Sequence, residues 1–277
     1  MLNEQLKQLQ NVELDILTTV VDLCNKHNIK YYLIDGTLLG GIRHHGFIPW
    51  DDDVDICILR PDYERFLEIA SKELPERYEV HNFRFTEKYD KLVTRIVNNK
   101  VHIVHSSYSV EERMPAWIDV FPLDGMPNNW LLFQIHKFRF LYTRLQYHFS
   151  NFETGVNLTR KDRTKMQMML IWVGAHFKIG RNRDTFKLIE KLENLLRKYT
   201  VEKSRYLVNA YSSYMFRETY EREWFGEGGL VEFEKYKMRV PSDYDKVLTH
   251  LYGDYMTPPP KGKEEKHHIL RIEFRDD

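Results

Sequence analysis

Two aspartates alternate with apolar residues in the segment 53–58, DVDICI. Successive side chains of a β-strand point to opposite faces, so Asp53 and Asp55 share one face and the apolar residues share the other. These carboxylates lie roughly 6–7 Å apart at the backbone, and their repulsion is costly unless a positive charge sits between them. Oxygen ligands favour a hard cation, which predicts a site for Mg²⁺ or Mn²⁺ with Asp51 as a further ligand. The alternative is that WDDD at 50–53 is a solvated acidic turn.

A third carboxylate lies in a second apolar strand. Asp119 is flanked by core-type residues in WIDVF, where a lone carboxylate is expensive to bury, so we interpret it as functional. Asp124 follows in PLDG, where we expect a structural turn hydrogen bond. Upstream, Gly36 and Thr37 stand at a strand-to-helix junction. A glycine there lets the backbone approach a phosphate, and the helix N-terminus favours anions.

Residue periodicity predicts a mixed α/β (α+β) fold. Apolar residues at gaps of three and four predict an amphipathic helix up to about residue 27. Strands are predicted at 29–34, 53–59, 77–85, 91–97, 101–105 and 116–121, and helices at 38–44, from Pro61, and at 130–149, 160–177 and 185–199. Strands interleaved with helices favour a small mixed sheet flanked by helices.

The character of the chain changes after Pro127. Between residues 130 and 190, Lys and Arg number 11 against 4 for Asp and Glu. We therefore predict a catalytic core over 1–128, a helical, basic subdomain over 129–200, and a C-terminal segment, 201–277, that packs back on the core.

Charge and cysteine content exclude several classes of function. Lys plus Arg is 41 and Asp plus Glu is 41, so the protein has no overall basic field for binding nucleic acid. Two cysteines are too few for a disulfide framework or a cysteine-based zinc site. The N-terminus has no apolar core of a signal peptide, and no apolar run is long enough to span a bilayer. We expect a cytoplasmic protein.

The motifs together resemble the LicD family of the nucleotidyltransferase superfamily. DGTLLGGIRHHGFIPWDDDVDICI at 35–58, IDVFPLDG at 118–125 and VPSDYDKVLTHLYGDYMTPPP at 240–260 carry this resemblance. It implies a nucleotidyltransferase-like core that moves a phosphorylated small alcohol from a CDP-activated donor to a sugar hydroxyl of a cell-surface glycan, releasing CMP. Phosphocholine transfer to teichoic acid or lipopolysaccharide is the favoured reaction. The related fukutin and fukutin-related protein use CDP-ribitol.

The same resemblance implies roles for individual residues. Asp53, Asp55 and Asp119 would hold the metal, which we expect to be two Mg²⁺ or Mn²⁺ ions, and Asp51 is a further ligand. The metal and the donor pyrophosphate would occupy one site. Asp119 stands where such families place the group that activates the acceptor hydroxyl, so metal ligand and general base both remain open for it.

Three basic residues are candidates for contacts with the donor phosphates. Arg43 follows the GTLLGGI segment, and its planar fork suits phosphate oxygens, but an ion pair within the acidic run 51–53 is an equal alternative. Lys91 and Arg95 lie on a predicted strand and are weaker candidates, because exposed basic residues are common on strands.

The basic helices over 130–187 also suit peripheral contact with the inner face of a membrane. The residues concerned are Lys137, Arg139, Arg144, Arg163, Lys165, Lys178 and Arg181. The alternative is a helical subdomain with a solvated basic face.

Other activities stay open at this level. CDP-ribitol or CDP-glycerol would make the protein a phosphoalditol transferase. A nucleotidyltransferase acting on a small molecule would instead release pyrophosphate. A protein that binds glycans or CDP compounds without catalysis is a further alternative. The presence of all three carboxylates and of Gly36–Thr37 argues against it, because a binding protein does not require a complete catalytic set.

Overall fold

The computed structural model describes residues 2–107, 110–152, 165–177, 182–260 and 269–274. Within these ranges, seven helices and ten strands form an α+β fold, which confirms the predicted class. The helices are α1 (Leu2–Lys26), α2 (Asp35–Arg43), α3 (Arg60–Glu73), α4 (Trp130–Ser150), α5 (Lys165–Phe177), α6 (Thr185–Leu196) and α7 (Tyr244–Tyr252). The strands are β1 (Tyr31–Leu33), β2 (Asp55–Leu59), β3 (Tyr78–His81), β4 (Thr94–Ser107), β5 (Val110–Gly125), β6 (Tyr206–Val208), β7 (Thr219–Glu221), β8 (Gly229–Phe233), β9 (Tyr236–Val240) and β10 (Ile269–Phe274).

A mixed sheet of eight strands organises the fold. Its main path runs β1-β2-β5-β4-β10, with β3 beside β4 and with β6 and β7 continuing from β5. The pair β2–β5 is parallel, whereas the other strand pairs are antiparallel. The sequence predicts which side chains of each strand share a face. The parallel pairing of β2 with β5 then decides which residues of the two strands become neighbours.

The division of the strands differs from the prediction at one place. Segments 91–97 and 101–105 were predicted as separate strands, but residues 94–107 form the single strand β4. Its pairing with β5 shifts register between Asn98 and His102, so a bulge takes up the polar residues between the two apolar runs. The interruption in the pattern therefore marks a bulge and not the end of a strand.

Helix α1 forms as its apolar periodicity predicts. Ile16 and Val20 are fully buried in the main core. Nearer the N-terminus, Leu6 and Leu9 join a second cluster with residues of β4 and β5, such as Ile103. The helix therefore covers the central strands along much of its length.

The basic helical region is confirmed as helical, but its charges are distributed differently from the prediction. Arg144 points inward from α4, and its guanidinium donates to the backbone carbonyl of Ala210. Arg144 thus anchors a loop, which removes it from any exposed basic face. Arg163, Lys178 and Arg181 lie outside the described residues. None of the helices in the described ranges combines the length and the apolar character needed to cross a bilayer.

Residues from the C-terminal part of the chain contact the sheet at several places. β6 extends β5 through the pairs Asp124–Val208 and Gly125–Leu207, and β10 pairs with β4. The hairpin β8–β9 lies against β1 and α2. These contacts pack segments that are far apart in the sequence against the sheet.

Candidate active site

Parallel pairing of β2 and β5 sets two of the predicted carboxylates side by side. Asp55 is the register partner of Asp119, and the Asp119 N–H donates to the carbonyl of Val54 over 2.8 Å. Neighbouring strands lie about 4.8 Å apart, so the two backbones hold these carboxylates close together. The structure thus brings together residues that stand in separate apolar strands of the sequence.

Arg95 neutralises part of this charge. It is the register partner of Asp119 on β4, and its Nε lies 2.9 Å from Asp119 Oδ1. The guanidinium also stacks over Trp117, 4.1 Å from the ring centroid. Arg95 was predicted as a phosphate contact, and the structure places it at the site as the partner of a carboxylate.

The Gly36–Thr37 pair reaches the same site from α2. This helix begins at Asp35, three residues before the predicted start, because Leu38 N–H donates to Ile34 O over 3.0 Å and closes the first turn. Asp35 itself has a φ of 52°, in the left-handed region. A Cβ on Gly36 would lie 2.7 Å from Asp51 Oδ2, so glycine allows the helix start to approach that carboxylate.

These elements surround a cavity of about 370 Å³, which we term the carboxylate cavity. Six of its lining residues are aspartates: Asp35, Asp51, Asp52, Asp53, Asp55 and Asp119. Tyr211, Tyr214 and Tyr252 also line this cavity. The four predicted metal ligands therefore line one cavity together with Gly36.

The cavity carries concentrated negative charge. Burial raises the pKa of Asp55 well above its usual range, and the charges of Asp53 and Asp119 add to this effect. Burial, followed by the charge of Asp53, raises the pKa of Asp35 to about 7. Glu13 of α1 is also buried, and its pKa is raised by burial and by neighbouring aspartates of the cluster. Each of these shifts reports a carboxylate that lacks sufficient positive charge around it.

The donor atoms fit a hard cation. Asp35 Oδ1 and Glu13 Oε2 are buried and have no hydrogen-bond partner within the part of the chain that is described. Carboxylate oxygens are the ligands that Mg²⁺ and Mn²⁺ prefer. Within that same part of the chain, no three His, Cys, Asp or Glu side chains converge as a preformed metal centre. Metal binding would therefore have to draw the carboxylates together.

Arg43 and Lys91, the other two predicted phosphate contacts, lie outside the lining of the carboxylate cavity. Arg43 donates from Nη1 to the carbonyl of Tyr255 over 2.7 Å and from Nε to His44 over 3.0 Å. It lines a second cavity that adjoins the first. Lys91 lies 3.7 Å from Asp90 and precedes β4, which places it outside the lining of both cavities.

Asp124 has the structural role predicted for it, but with a different partner. It lies within β5 and not in a turn, and both of its oxygens accept from Arg60, each over 2.6 Å. Both side chains are buried, so the pair fixes the first residue of α3 against the sheet.

Sequence reasoning missed several residues of the site. Asp35 directly precedes the Gly36–Thr37 pair, so its position in the motif was an available signal. Tyr252 belongs to the C-terminal motif, where only a structural role was expected, yet it lines both cavities. Tyr214 also lines both cavities, and no pattern around it indicates this position.

A Gly-Thr helix start, the carboxylates of Asp53 and Asp55 just before and at the start of β2, and a third carboxylate on the neighbouring strand define a protein of the nucleotidyltransferase class. The family model described as "LicD/FKTN/FKRP, nucleotidyltransferase domain" matches residues 28–151. The chain is also 30% identical over 267 residues to the lipopolysaccharide cholinephosphotransferase LicD of Haemophilus influenzae, covering 95% of this chain and 96% of that protein. This protein therefore belongs to the LicD family. An uncharacterized protein of Rickettsia typhi is 36% identical over 83 residues, covering 30% of this chain and 22% of that protein.

Proposed function

We propose that this protein transfers phosphocholine from CDP-choline to a sugar hydroxyl of a cell-surface glycan and releases CMP. The observation that carries the proposal is the pairing of Asp55 with Asp119 in a cavity lined by four further aspartates. Such a cavity suits a cation-assisted displacement on a pyrophosphate. The Haemophilus influenzae relative is named a lipopolysaccharide cholinephosphotransferase, and this name supports phosphocholine as the transferred group and lipopolysaccharide as an acceptor.

Asp51, Asp53, Asp55 and Asp119 would hold Mg²⁺ or Mn²⁺ in this proposal. A bound divalent ion supplies charge neutralisation at the phosphoryl oxygens and at the leaving group. Their arrangement around one cavity, together with the raised pKa of Asp55, supports this assignment. Gly36 keeps the start of α2 close enough for the backbone to approach the same phosphates.

The chain's own residues would then direct the displacement. The acceptor hydroxyl oxygen attacks the phosphorus that carries choline, the bond from that phosphorus to the CMP oxygen breaks, and CMP leaves. Asp119 is the candidate acceptor of the hydroxyl proton. Its hydrogen bond with Arg95 holds the carboxylate in one orientation throughout.

The product distinguishes this reaction from the alternatives. We would incubate the purified protein and Mg²⁺ with CDP-choline, CDP-ribitol and CDP-glycerol in parallel, each with and without lipopolysaccharide that lacks phosphocholine. CMP release from CDP-choline is the expected result, and EDTA should stop it. CMP from only an alditol donor would replace the proposed head group. Pyrophosphate release from CTP or ATP would indicate a nucleotidyltransferase, and no release from any donor would overturn the proposal.

The matched variants are Asp55→Asn and Asp62→Asn. Asp62 lies in the first turn of α3, pairs with exposed Arg65 and is outside the lining of the carboxylate cavity. Asp55→Asn should lower CMP release at least about 100-fold, on the scale of losing one well-placed electrostatic contact. It should keep or raise the melting temperature, because it removes a repelled carboxylate. Normal turnover by Asp55→Asn would remove that residue from the metal site.

A further inference from the structure

A second cavity of about 370 Å³ adjoins the carboxylate cavity. We term it the aromatic cavity. Gly36, Asp51, Tyr214 and Tyr252 line both cavities. A ligand whose phosphates lie among the carboxylates can therefore extend directly into the aromatic cavity.

The aromatic cavity has walls that suit a quaternary ammonium group. The rings of Tyr214 and Tyr252 stand nearly perpendicular, at 89°, with centroids 6.5 Å apart, and Trp50 provides a third ring. Asp254 adds a carboxylate, whose Oδ2 accepts from Thr257. A cation such as trimethylammonium is attracted to the faces of aromatic rings and to a nearby negative charge.

The same cavity contains a guanidinium of opposite charge. Arg43 uses Nη1 and Nε for the described hydrogen bonds to Tyr255 and His44. Since a guanidinium has five N–H donors, it can hold a phosphate at the same time. The cavity therefore combines aromatic rings, a carboxylate and an arginine, which match the two charges of phosphocholine, whereas an alditol phosphate has no cation for the aromatic rings.

We propose that the aromatic cavity is the subsite for the phosphocholine group. Arg43 contacts its phosphate, and Trp50, Tyr214, Tyr252 and Asp254 surround its trimethylammonium and select this head group. This inference rests on the proposed function and assigns the residues that would make the protein specific for choline.

The test compares kcat/KM for CDP-choline with that for CDP-glycerol. Tyr214→Ala should lower the ratio about 5- to 10-fold, the range of one cation–π contact. Tyr236→Ala is the matched control, because both tyrosines are 37% exposed and Tyr236 lies on β9 outside both cavities. Asp254→Asn should lower the same ratio. Arg43→Ala should lower kcat/KM for both donors together.

Two results distinguish a failure of the proposed function from a failure of the cavity assignment. If the wild-type protein releases no CMP from CDP-choline, the proposed function is wrong. If the wild-type protein uses CDP-choline but Tyr214→Ala and Asp254→Asn leave the donor ratio unchanged, the assignment of the aromatic cavity is wrong. A binding measurement with phosphocholine alone checks the same variants without turnover.

Helices α4 and α5 expose large apolar side chains, and this second feature is independent of the cavities. Leu131, Ile135, Phe138 and Tyr142 lie on one stripe of α4 and are 47–69% exposed. The opposite face of the helix, which includes Phe140, is buried against the core. Met168, Met169 and Trp172 of α5 are likewise 58–60% exposed. These two helices therefore present large apolar side chains to the outside.

The charges beside these side chains indicate what covers them. Neither α4 nor α5 contains an acidic residue, and the described residues Arg139 and Lys165 are exposed there. We infer that α4 and α5 lie on an anionic lipid surface, with the apolar side chains inserted and the basic residues near the headgroups. This inference keeps the predicted membrane contact of the basic helices and places exposed apolar residues at its centre.

Vesicle co-sedimentation tests this surface. The full-length protein should bind vesicles of phosphatidylglycerol and phosphatidylcholine more strongly than phosphatidylcholine alone, and Phe138→Glu should abolish binding. Leu230→Glu, at a 63% exposed residue of β8, should bind as the wild type does. No binding to anionic vesicles would overturn the inference. A dimer in solution that Phe138→Glu dissociates would overturn it too, because a second copy would then cover the stripe.

Discussion

Thr37 Oγ1 accepts a hydrogen bond of 2.8 Å from the backbone N–H of Asp55. This bond joins the first turn of α2 to the first residue of β2. It therefore couples the Gly-Thr motif to the carboxylate strand within the fold itself, independently of any ligand. Thr37 as a residue is 3% exposed, so water does not readily replace its hydroxyl.

Replacing Thr37 with valine should destabilise the protein by about 1–3 kcal/mol, because the Asp55 N–H would be buried without an acceptor. Thr37→Ser keeps the hydroxyl and should retain most of the stability. Urea denaturation of both variants measures the difference. A Thr37→Val variant as stable as the wild type would show that the bond does not hold the two elements together.

Replacing Gly36 with alanine should impair activity more than stability. The three atoms nearest to the new Cβ would all belong to the carboxylate group of Asp51, which can rotate away, so the fold is kept while a candidate metal ligand is displaced. We expect a higher Mg²⁺ concentration for half-maximal CMP release and little change in melting temperature. Gly41→Ala is the control on the same helix, because its nearest neighbour would lie at 3.4 Å, an ordinary contact. Equal effects of the two substitutions would contradict this explanation.

Breaking the buried ion pair of Arg60 and Asp124 should lower the free energy of unfolding much more than breaking an exposed ion pair. Asp124→Ala leaves the Arg60 guanidinium without its bidentate partner and should cost about 3–5 kcal/mol. Asp62→Ala, which breaks a pair with exposed Arg65, should cost less than about 1 kcal/mol. Denaturant unfolding of both variants at neutral pH makes the comparison. Similar losses would mean that the neighbouring carboxylate Glu193 compensates for Asp124.

The stability of the metal-free protein should fall as the pH rises from about 4 to about 7. Burial raises the pKa of Asp35 from 3.8 to about 7, so the folded state holds a proton there that the unfolded state has released. Below this range both states are protonated, and above it the folded protein bears the cost of the buried charge. Melting temperatures in EDTA across this range measure the effect. Asp35→Asn should reduce the slope, and a slope unchanged by Asp35→Asn would assign it to other groups.

Local patterns account for much of the fold and part of the site. The apolar repeat of α1 predicts a buried helix face, as observed. The alternation around Asp53 and Asp55 predicts a strand from residue 53, but β2 begins at Asp55 and Asp53 precedes it, although both residues line the carboxylate cavity. The same reasoning singles out Asp119, because an apolar strand tolerates a carboxylate only where something compensates for it. These features follow from side-chain period and burial cost, both of which act within a few residues.

Other parts of the site depend on pairings between distant segments. Arg95 is 24 residues from Asp119, and only the register of β4 on β5 makes them partners. Tyr214 and Tyr252 reach the cavities from the opposite end of the chain. The residues next to these two tyrosines in the sequence contain no information on which part of the sheet the tyrosines approach.

Local sequence patterns identify the residues that carry charge in apolar segments and the helices that have a core-facing side. Only the folded chain makes Asp55 the neighbour of Asp119, pairs Arg95 with Asp119, and brings aromatic rings next to the carboxylates. The physical reason is that backbone geometry sets which way a side chain points within a few residues. Which strand or loop becomes its neighbour depends on how the whole chain buries its apolar surface.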